Sequence, residues 1–165
     1  WLSTNKLINE AWEQVSFLAL QKHILINRNK EKAFLAHVDR ELMVRVWVNL
    51  LTNAIKYAPS GDTLELTADR NEQGILQMQL TDHGLGIPND KLEVVFEKFA
   101  QLDEGQKSGN IRSTGLGLAF CKMAVESHGG RIWIESEMGN FTRITFTLPD
   151  SKDVAEPSLK SPTMS

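Results

Sequence analysis

The sequence predicts an α/β two-layer sandwich, in which a mixed, largely antiparallel sheet packs on three long helices. The first observation is that apolar residues recur at helical spacing in three segments of the 165-residue chain. The second is that apolar and polar residues alternate in several short segments, as in strands with one buried face. The third is that helices and strands are interleaved along the chain, which favours one domain of two layers.

The helices are predicted from apolar spacing and from the residues that begin and end helices. Asp39 is a plausible N-cap, and Pro59 with Gly61 stops the helix that follows it. That helix is apolar on several sides, which predicts that it is buried. Gly129 and Gly130 close the last helix. The predicted helices are residues 3–21, 39–57 and 114–128, with a short one around 92–96.

Six strands are predicted, and the last four are expected to form an antiparallel meander that a helix and a loop interrupt. The predicted strands are residues 24–26, 34–38, 63–69, 75–81, 131–136 and 142–148. Residues 1–149 then form one domain. Residues 150–165 are rich in Ser, Pro and Lys without apolar periodicity, so they are predicted to be a flexible tail or linker. A simple frayed C-terminus explains them equally well.

The composition narrows the class of protein. A net charge of -3 with dispersed basic residues gives no electrostatic case for nucleic acid or an anionic membrane. Cys121 is the one cysteine, so no disulfide framework is possible and a reducing, cytoplasmic compartment is expected. No apolar run approaches the roughly 20 residues of a membrane-spanning helix. The sequence shows no signal peptide and no initiator Met, which suggests an excised fragment.

A polar stripe is predicted on the second helix. Residues four apart share a helical face, so Arg45, Asn49, Asn53 and Tyr57 align, with Lys56 beside them. Mg²⁺ prefers oxygen ligands and completes its shell with waters and substrate phosphates, so the amide oxygens suit it. An ammonium group suits the same phosphates. The alternative is that both amides bond only to backbone or water.

A carboxylate and two glycines follow the fourth predicted strand. Asp82 can accept a hydrogen bond from the exocyclic amine of adenine, and Gly84 and Gly86 would let the backbone turn and approach the ring closely. This spacing also occurs in many plain turns.

The third predicted helix begins at a glycine-rich segment. Thr114, Gly115 and Gly117 lie where free N–H groups and a partial positive charge attract anions, and phosphate is the expected guest. A helix start that needs glycine for tight packing is the alternative. The polar loop 101–113 before it is long enough for a functional lid or a disordered segment.

Taken in order, these motifs resemble the N, G1, F and G2 boxes of the ATP-binding catalytic domain of bacterial sensor histidine kinases, within the superfamily that includes gyrase, Hsp90 and MutL. The similarity covers about residues 3–149 and implies a Bergerat-type ATP-binding fold. The matching stretches are Asn49–Tyr57, Asp82–Pro88, Phe96–Phe99 and Ser113–Leu118.

The resemblance implies a role for each residue of the site. It implies that Asn53 coordinates Mg²⁺, that Asn49 assists at the phosphates and that Asp82 reads adenine. Lys56 and Lys98 would face the phosphates and Tyr57 would lie near the base. The other residues implied to bind ATP are Gly84, Gly86, Ile87, Phe99, Ser113, Thr114, Gly115, Leu116, Gly117 and Leu118. The implied lid contains Gln101, Lys107, Gly109 and Arg112, of which Lys107 or Arg112 would reach the γ-phosphate.

One departure concerns the turn before the final strand. The family often has Gly and, two residues later, Thr, whereas this chain has Phe141 and Arg143. Because of this departure, the resemblance does not imply contacts from this turn to the base.

The resemblance also implies partners. The acceptor histidine of the family lies in a His-Glu/Asp-x-x-x-Pro motif, which none of the four histidines here matches. The chain therefore resembles the catalytic half of a kinase that acts on separate dimerisation and phosphoacceptor helices and signals to a response regulator or receiver. The fragment itself is expected to be monomeric, and the resemblance is compatible with a parent that is a hybrid kinase or is anchored to a membrane.

The residue at position 49 distinguishes between the superfamily's reactions. Hydrolytic and serine-phosphorylating relatives resemble one another in carrying Glu at this place, where a carboxylate can take the proton of the attacking hydroxyl or water. Asn49 cannot act as a base, and a neutral imidazole attacks through a lone pair that is already free. Phosphotransfer to histidine is therefore favoured. A hydrolytic ATPase and a regulatory module that binds nucleotide without transfer are the alternatives.

Overall fold

The structure, a computed structural model, describes residues 1–28, 32–97 and 116–154. The helices are α1 (Thr4–Gln21), α2 (Arg40–Tyr57) and α3 (Gly117–Ser127), and a 3₁₀ turn covers Asn89–Lys91. The strands are β1 (Leu2–Ser3), β2 (Leu25–Arg28), β3 (Phe34–Ala36), β4 (Thr63–Arg70), β5 (Leu76–Asp82), β6 (Ile132–Glu137), β7 (Phe141–Leu148) and β8 (Ser151–Asp153).

The larger sheet has the strand order β2-β4-β5-β7-β6, and β2 runs parallel to β4 while all other neighbours are antiparallel. The predicted mixed, largely antiparallel sheet is therefore confirmed. The predicted meander order is wrong, because β7 lies between β5 and β6. The physical reason is burial: consecutive residues of β5 and β7 are buried, which suits central strands, whereas β6 is half-exposed and lies at the edge.

The hydrophobic core lies between this sheet and the helices. Trp47 of α2 is almost fully buried and meets Phe146 of β7 edge to face, with ring centroids 5.2 Å apart. Alternate residues of β4 are buried, so one face of the sheet meets the helical layer. This packing confirms the two-layer architecture and the predicted burial of α2.

The predicted boundaries of α2 are confirmed in detail. The Asp39 side chain accepts a hydrogen bond of 2.9 Å from the Leu42 N–H and caps the helix. At the other end Ala58 is extended, as the residue before a proline prefers, and the helix stops there. Within the described ranges, no helix combines the length and apolar character needed to cross a membrane.

Two predicted elements differ from the structure. Residues 92–96 form a series of turns after the 3₁₀ turn, not the short helix that was predicted. Residues 151–153, predicted to belong to a flexible tail, form β8 instead and pair with β3 in a second sheet of order β1-β3-β8. Arg70 fastens β8 to the domain through Asp153 at 2.8 Å and the Ser151 hydroxyl at 2.8 Å.

Candidate functional site

A cavity of about 600 Å³ opens between the C-terminal half of α2, the loop after β5 and the turn between β6 and β7. Its volume is in the range of small-molecule and cofactor sites. Eight of the sequence-predicted site residues line it. They are Asn53, Lys56, Tyr57, Asp82, Gly84, Gly86, Ile87 and Leu118.

The C-terminal half of α2 gives one wall of the cavity. Asn53 lies one turn before Tyr57, and the Lys56 ammonium donates a hydrogen bond of 3.3 Å to the Tyr57 hydroxyl while lying 4.9 Å from the centroid of its ring. An aromatic ring, an ammonium group and an amide therefore lie along one wall of the cavity.

Asn49 of α2 lies outside the cavity lining, and its side chain is next to the first residue of α3. Its side-chain oxygen would be 3.3 Å from a Cβ at position 117, so α3 begins in close contact with this side chain of α2 and a larger residue there would crowd it. Leu116, also outside the lining, is half-exposed just before this helix. Asn49, Leu116 and Gly117 thus lie near one another where the third helix begins, outside the cavity lining, and their roles at the site stay predictions.

Asp82 is the buried charge of the cavity. Only 6% of the residue is exposed, and burial raises the pKa of its carboxyl to about 6, with a smaller contribution from the charge of Asp62. The Gly84 N–H, at 3.0 Å from the carboxylate, and the electrostatic effects of His83 and Lys22 lower the pKa and partly offset that rise. A buried carboxylate that faces a cavity is suited to bind a hydrogen-bond donor of a ligand.

The two glycines after Asp82 are required by close approaches of the backbone. A Cβ at position 84 would lie 2.3 Å from the Tyr57 carbonyl oxygen. Gly86 has a φ of +79°, and a Cβ there would lie 2.6 Å from the Glu137 carbonyl oxygen. The loop is therefore pressed against both α2 and the turn between β6 and β7.

Several residues of the cavity were missed by sequence reasoning. The turn between β6 and β7 is tied to the loop after β5, since the Gly139 N–H donates to the Leu85 carbonyl at 2.7 Å and the Ile87 N–H to the Ser136 hydroxyl at 2.7 Å. Thr142 is thereby brought into the lining. The residues missed include Lys22, Leu80, Ile134, Met138, Gly139, Thr142 and Ile144.

Thr142 lies between Phe141 and Arg143, the two residues at which this chain departs from the family pattern. Thr142 lines the cavity, whereas Phe141 and Arg143 lie outside the lining. Thr142 lies two positions before the buried Ile144, and residues two apart share a face of a strand. The alternation of β7 could therefore have identified Thr142 as a residue that faces the core side.

Nine predicted site residues lie outside the described residues, and their roles stay predictions. They are Lys98, Phe99, Gln101, Lys107, Gly109, Arg112, Ser113, Thr114 and Gly115.

The donors at the site fit a hard cation that is shared with phosphates. In the described part of the chain, no group of three or more His, Cys, Asp or Glu side chains is placed to hold a metal. The Asn53 amide faces the cavity, and a single protein oxygen with waters and phosphates is a usual shell for Mg²⁺. These donors therefore fit such a cation only where a bound ligand supplies the phosphate oxygens.

Comparisons with known proteins agree with this geometry. Residues 38–152 match the model of the family described as histidine kinase-, DNA gyrase B-, and HSP90-like ATPase. The sensor histidine kinase WalK of Bacillus subtilis is 35% identical over 153 residues, which cover 86% of this chain and 25% of WalK. The chain thus spans about a quarter of the length of the curated relatives it matches.

Solved structures share the fold. The mycobacterial sensor histidine kinase MprB superposes with a TM-score of 0.80 at 23% identity, over 93% of this chain and 99% of that one. Full-length ShkA in complex with AMPPNP superposes with a TM-score of 0.73 at 26% identity, over 92% of this chain and 31% of ShkA.

Proposed function

Because this chain belongs to the family of histidine kinase-, DNA gyrase B- and HSP90-like ATPases, we propose that it binds Mg-ATP and donates the γ-phosphate to a histidine of a separate acceptor domain. The observation that carries this proposal is a single cavity that presents both the buried Asp82 carboxylate and the Asn53 amide.

Asp82 recognises the base in this proposal. Its ionised carboxylate accepts a hydrogen bond from the exocyclic amine of adenine, and guanine, which carries a carbonyl oxygen at that position, would place an acceptor against it. The Tyr57 ring lies beside the base, and the base occupies the cavity that Tyr57, Asp82 and Gly84 line together.

The phosphates lie towards the start of α3. Lys56 supplies a positive charge to them, and the amide oxygen of Asn53 would hold Mg²⁺. When bound, Mg²⁺ neutralises charge that develops on the transferring phosphoryl group. Asn49 is placed beside Gly117, where it can orient the phosphates.

The transfer needs no protein base at position 49. The free lone pair of an imidazole nitrogen forms the new bond to the γ-phosphorus, and the bond from that phosphorus to the bridging oxygen breaks, so that ADP leaves with the electron pair. Catalysis then depends on positioning and charge neutralisation rather than on proton abstraction. An amide at position 49 fits this reaction, since it can donate and accept hydrogen bonds but does not titrate.

The proposed partners are the dimerisation and phosphoacceptor helices of the full-length kinase, followed by a response regulator or receiver domain. WalK, the relative described above, is named a sensor histidine kinase, and this name supports the proposal of two-component signalling.

The test mixes the chain with a cognate acceptor-helix domain and ATP labelled at the γ-phosphate. The expected result is a labelled acceptor whose label is lost in acid and retained in base, as for phosphohistidine. Acid-stable label contradicts the proposal. Steady phosphate release without the acceptor identifies a hydrolytic ATPase, and binding of Mg-ATP without any transfer identifies a regulatory module.

A further inference from the structure

Lys22 is a cavity residue that belongs to none of the sequence motifs. It lies between α1 and β2, more than 30 positions before the α2 residues that it contacts. Its ammonium donates hydrogen bonds of 2.9 Å to the Ile55 carbonyl and 2.8 Å to the Lys56 carbonyl.

These two carbonyls belong to the last turn of α2, where helical carbonyls have no partner four residues ahead. For Ile55 that partner would be residue 59, which is a proline and has no N–H to donate. Ala58 has already turned to an extended conformation, so the chain cannot continue the helix. The ammonium of Lys22 replaces the missing donors, and its positive charge is also favourable at a helix C-terminus.

The backbone of Lys22 is itself fixed by the end of α1. His23 has a φ of +57°, and the Ile24 N–H reaches back to the Ala19 carbonyl at 2.8 Å while the His23 N–H reaches Leu20 at 3.1 Å. This is the Schellman arrangement, in which a left-handed residue ends a helix. The anchor for the side chain is therefore rigid.

The same residue also holds the turn that follows α2. The Lys22 carbonyl accepts hydrogen bonds from the Gly61 N–H at 3.0 Å and from the Ser60 hydroxyl at 3.2 Å. The segment from Ile55 to Gly61 is thus bound at both ends by one residue. This segment carries Lys56 and Tyr57 into the cavity.

The ammonium also acts on the base-reading carboxylate. Burial lowers the pKa of Lys22, and the negative charge of Asp82 opposes that shift. Burial and the charge of Asp62 raise the pKa of Asp82, whereas the Gly84 N–H, His83 and, by a smaller amount, Lys22 lower it. Lys22 therefore favours the ionised carboxylate that accepts a hydrogen bond.

We propose that Lys22 is a positioning residue for the nucleotide, which fixes the last turn of α2 and places Lys56 and Tyr57 opposite Asp82. The inference rests on the proposed function, because the nucleotide is the ligand for which these groups are positioned.

The experiment measures the Kd of Mg-AMPPNP by calorimetry between pH 5 and pH 8, well below the melting temperature of each variant. Lys22→Met removes the charge and the donors while keeping the length of the side chain. We expect its Kd to rise by about tenfold, since two charge-assisted hydrogen bonds are lost. We also expect the weakening of binding in acid to begin at a higher pH, because Asp82 loses a cation that favours its ionised form.

Lys22→Arg is the conservative variant and keeps donors for both carbonyls, so its Kd and pH profile should return towards those of the unaltered chain. Lys32→Met is the matched control. It removes an exposed lysine that pairs only with Asp69 among the described residues, at 2.8 Å, and it should leave both quantities unchanged.

A purely structural Lys22 would lower the melting temperature without moving the Kd or the pH profile, and that result would overturn the inference. If Lys22→Met does not fold, Lys22→Gln is compared with Lys22→Arg instead. Equal Kd values and equal pH profiles for this neutral and charged pair would again overturn it. If the unaltered chain binds no Mg-AMPPNP, the proposed function itself fails, which is a different outcome from normal binding by the variants.

Discussion

Asp82 and Thr142 are direct partners across strands β5 and β7, and both line the cavity. Side chains that face each other across an antiparallel pair lie on the same side of the sheet, so a carboxylate and a hydroxyl are presented together to a ligand. One is an acceptor when ionised and the other can donate or accept, which allows the pair to contact two adjacent atoms of a base edge.

Replacing the carboxylate should impair recognition of adenine. In Asp82→Asn the side chain keeps its shape, but its NH₂ group can face the exocyclic amine and two donors then meet. We expect the Kd of Mg-AMPPNP to rise by roughly 10- to 100-fold, as for loss of a hydrogen bond to a charged group. Calorimetry measures the change. Asp69→Asn, which alters an exposed carboxylate outside the cavity, is the matched control, and equal affinities for the two variants would contradict the assignment.

The same substitution should stabilise the chain without nucleotide. The pKa of Asp82 is about 6 in the fold against an ordinary value of 3.8, so between these values the folded state binds more protons than the unfolded state. The contribution of Asp82 to stability therefore falls as the pH rises from about 4 to 6 and stays low above 6. The cost at pH 7 is on the order of 3 kcal/mol.

Asp82→Asn removes this cost, so its melting temperature at pH 7 should exceed that of the unaltered chain, and the difference should shrink at pH 4.5. Thermal denaturation at the two pH values checks this. A variant that melts below the unaltered chain at pH 7 would show that the carboxylate is not a net burden on the fold.

Substitutions at Gly86 and Gly74 separate the effect of a positive φ angle from the effect of a close backbone contact. Their φ angles are +79° and +75°, but a Cβ at Gly86 meets the Glu137 carbonyl at 2.6 Å whereas a Cβ at Gly74 meets nothing within 4 Å. Gly74→Ala should cost about 1 kcal/mol of stability from strain alone. Gly86→Ala should cost more and also weaken nucleotide binding. Chemical denaturation and calorimetry measure both, and equal losses of stability would count against the tight loop.

Asn53 should link nucleotide affinity to magnesium. In Asn53→Ala, ATP binding in the presence of chelator should be nearly unchanged, while the gain in affinity on adding Mg²⁺ should fall by about tenfold or more. Titrations with and without Mg²⁺ give the two values. Asn5→Ala on α1, which lies outside the cavity lining, is the control. A full magnesium effect in Asn53→Ala would assign the cation to other ligands.

The parts of the fold that could be predicted are those with strong local signals. The burial of α2, the Asp39 cap and the stop at Pro59 all follow from residues close in sequence. Short elements lack such signals. A strand of three residues such as β8 has no periodicity to read, and its pairing with β3 and its contacts with Arg70 depend on residues far apart in the chain.

The site divides in the same way. Residues in compact motifs, such as Asn53 and Asp82, could be identified because a short spacing fixes their geometry. Lys22 could not, since its contacts are with backbone carbonyls, which leave no mark in the sequence. The strand order could not be deduced either, because apolar and polar residues alternate in both β6 and β7, and only burial distinguishes the central strand from the edge.

The most direct test of the account is a crystal structure of the chain with Mg²⁺ and AMPPNP. The expected result places the adenine amine within hydrogen-bond distance of the Asp82 carboxylate and the metal on the amide oxygen of Asn53. A nucleotide bound elsewhere, or a cavity filled by protein side chains in the presence of saturating nucleotide, would contradict it.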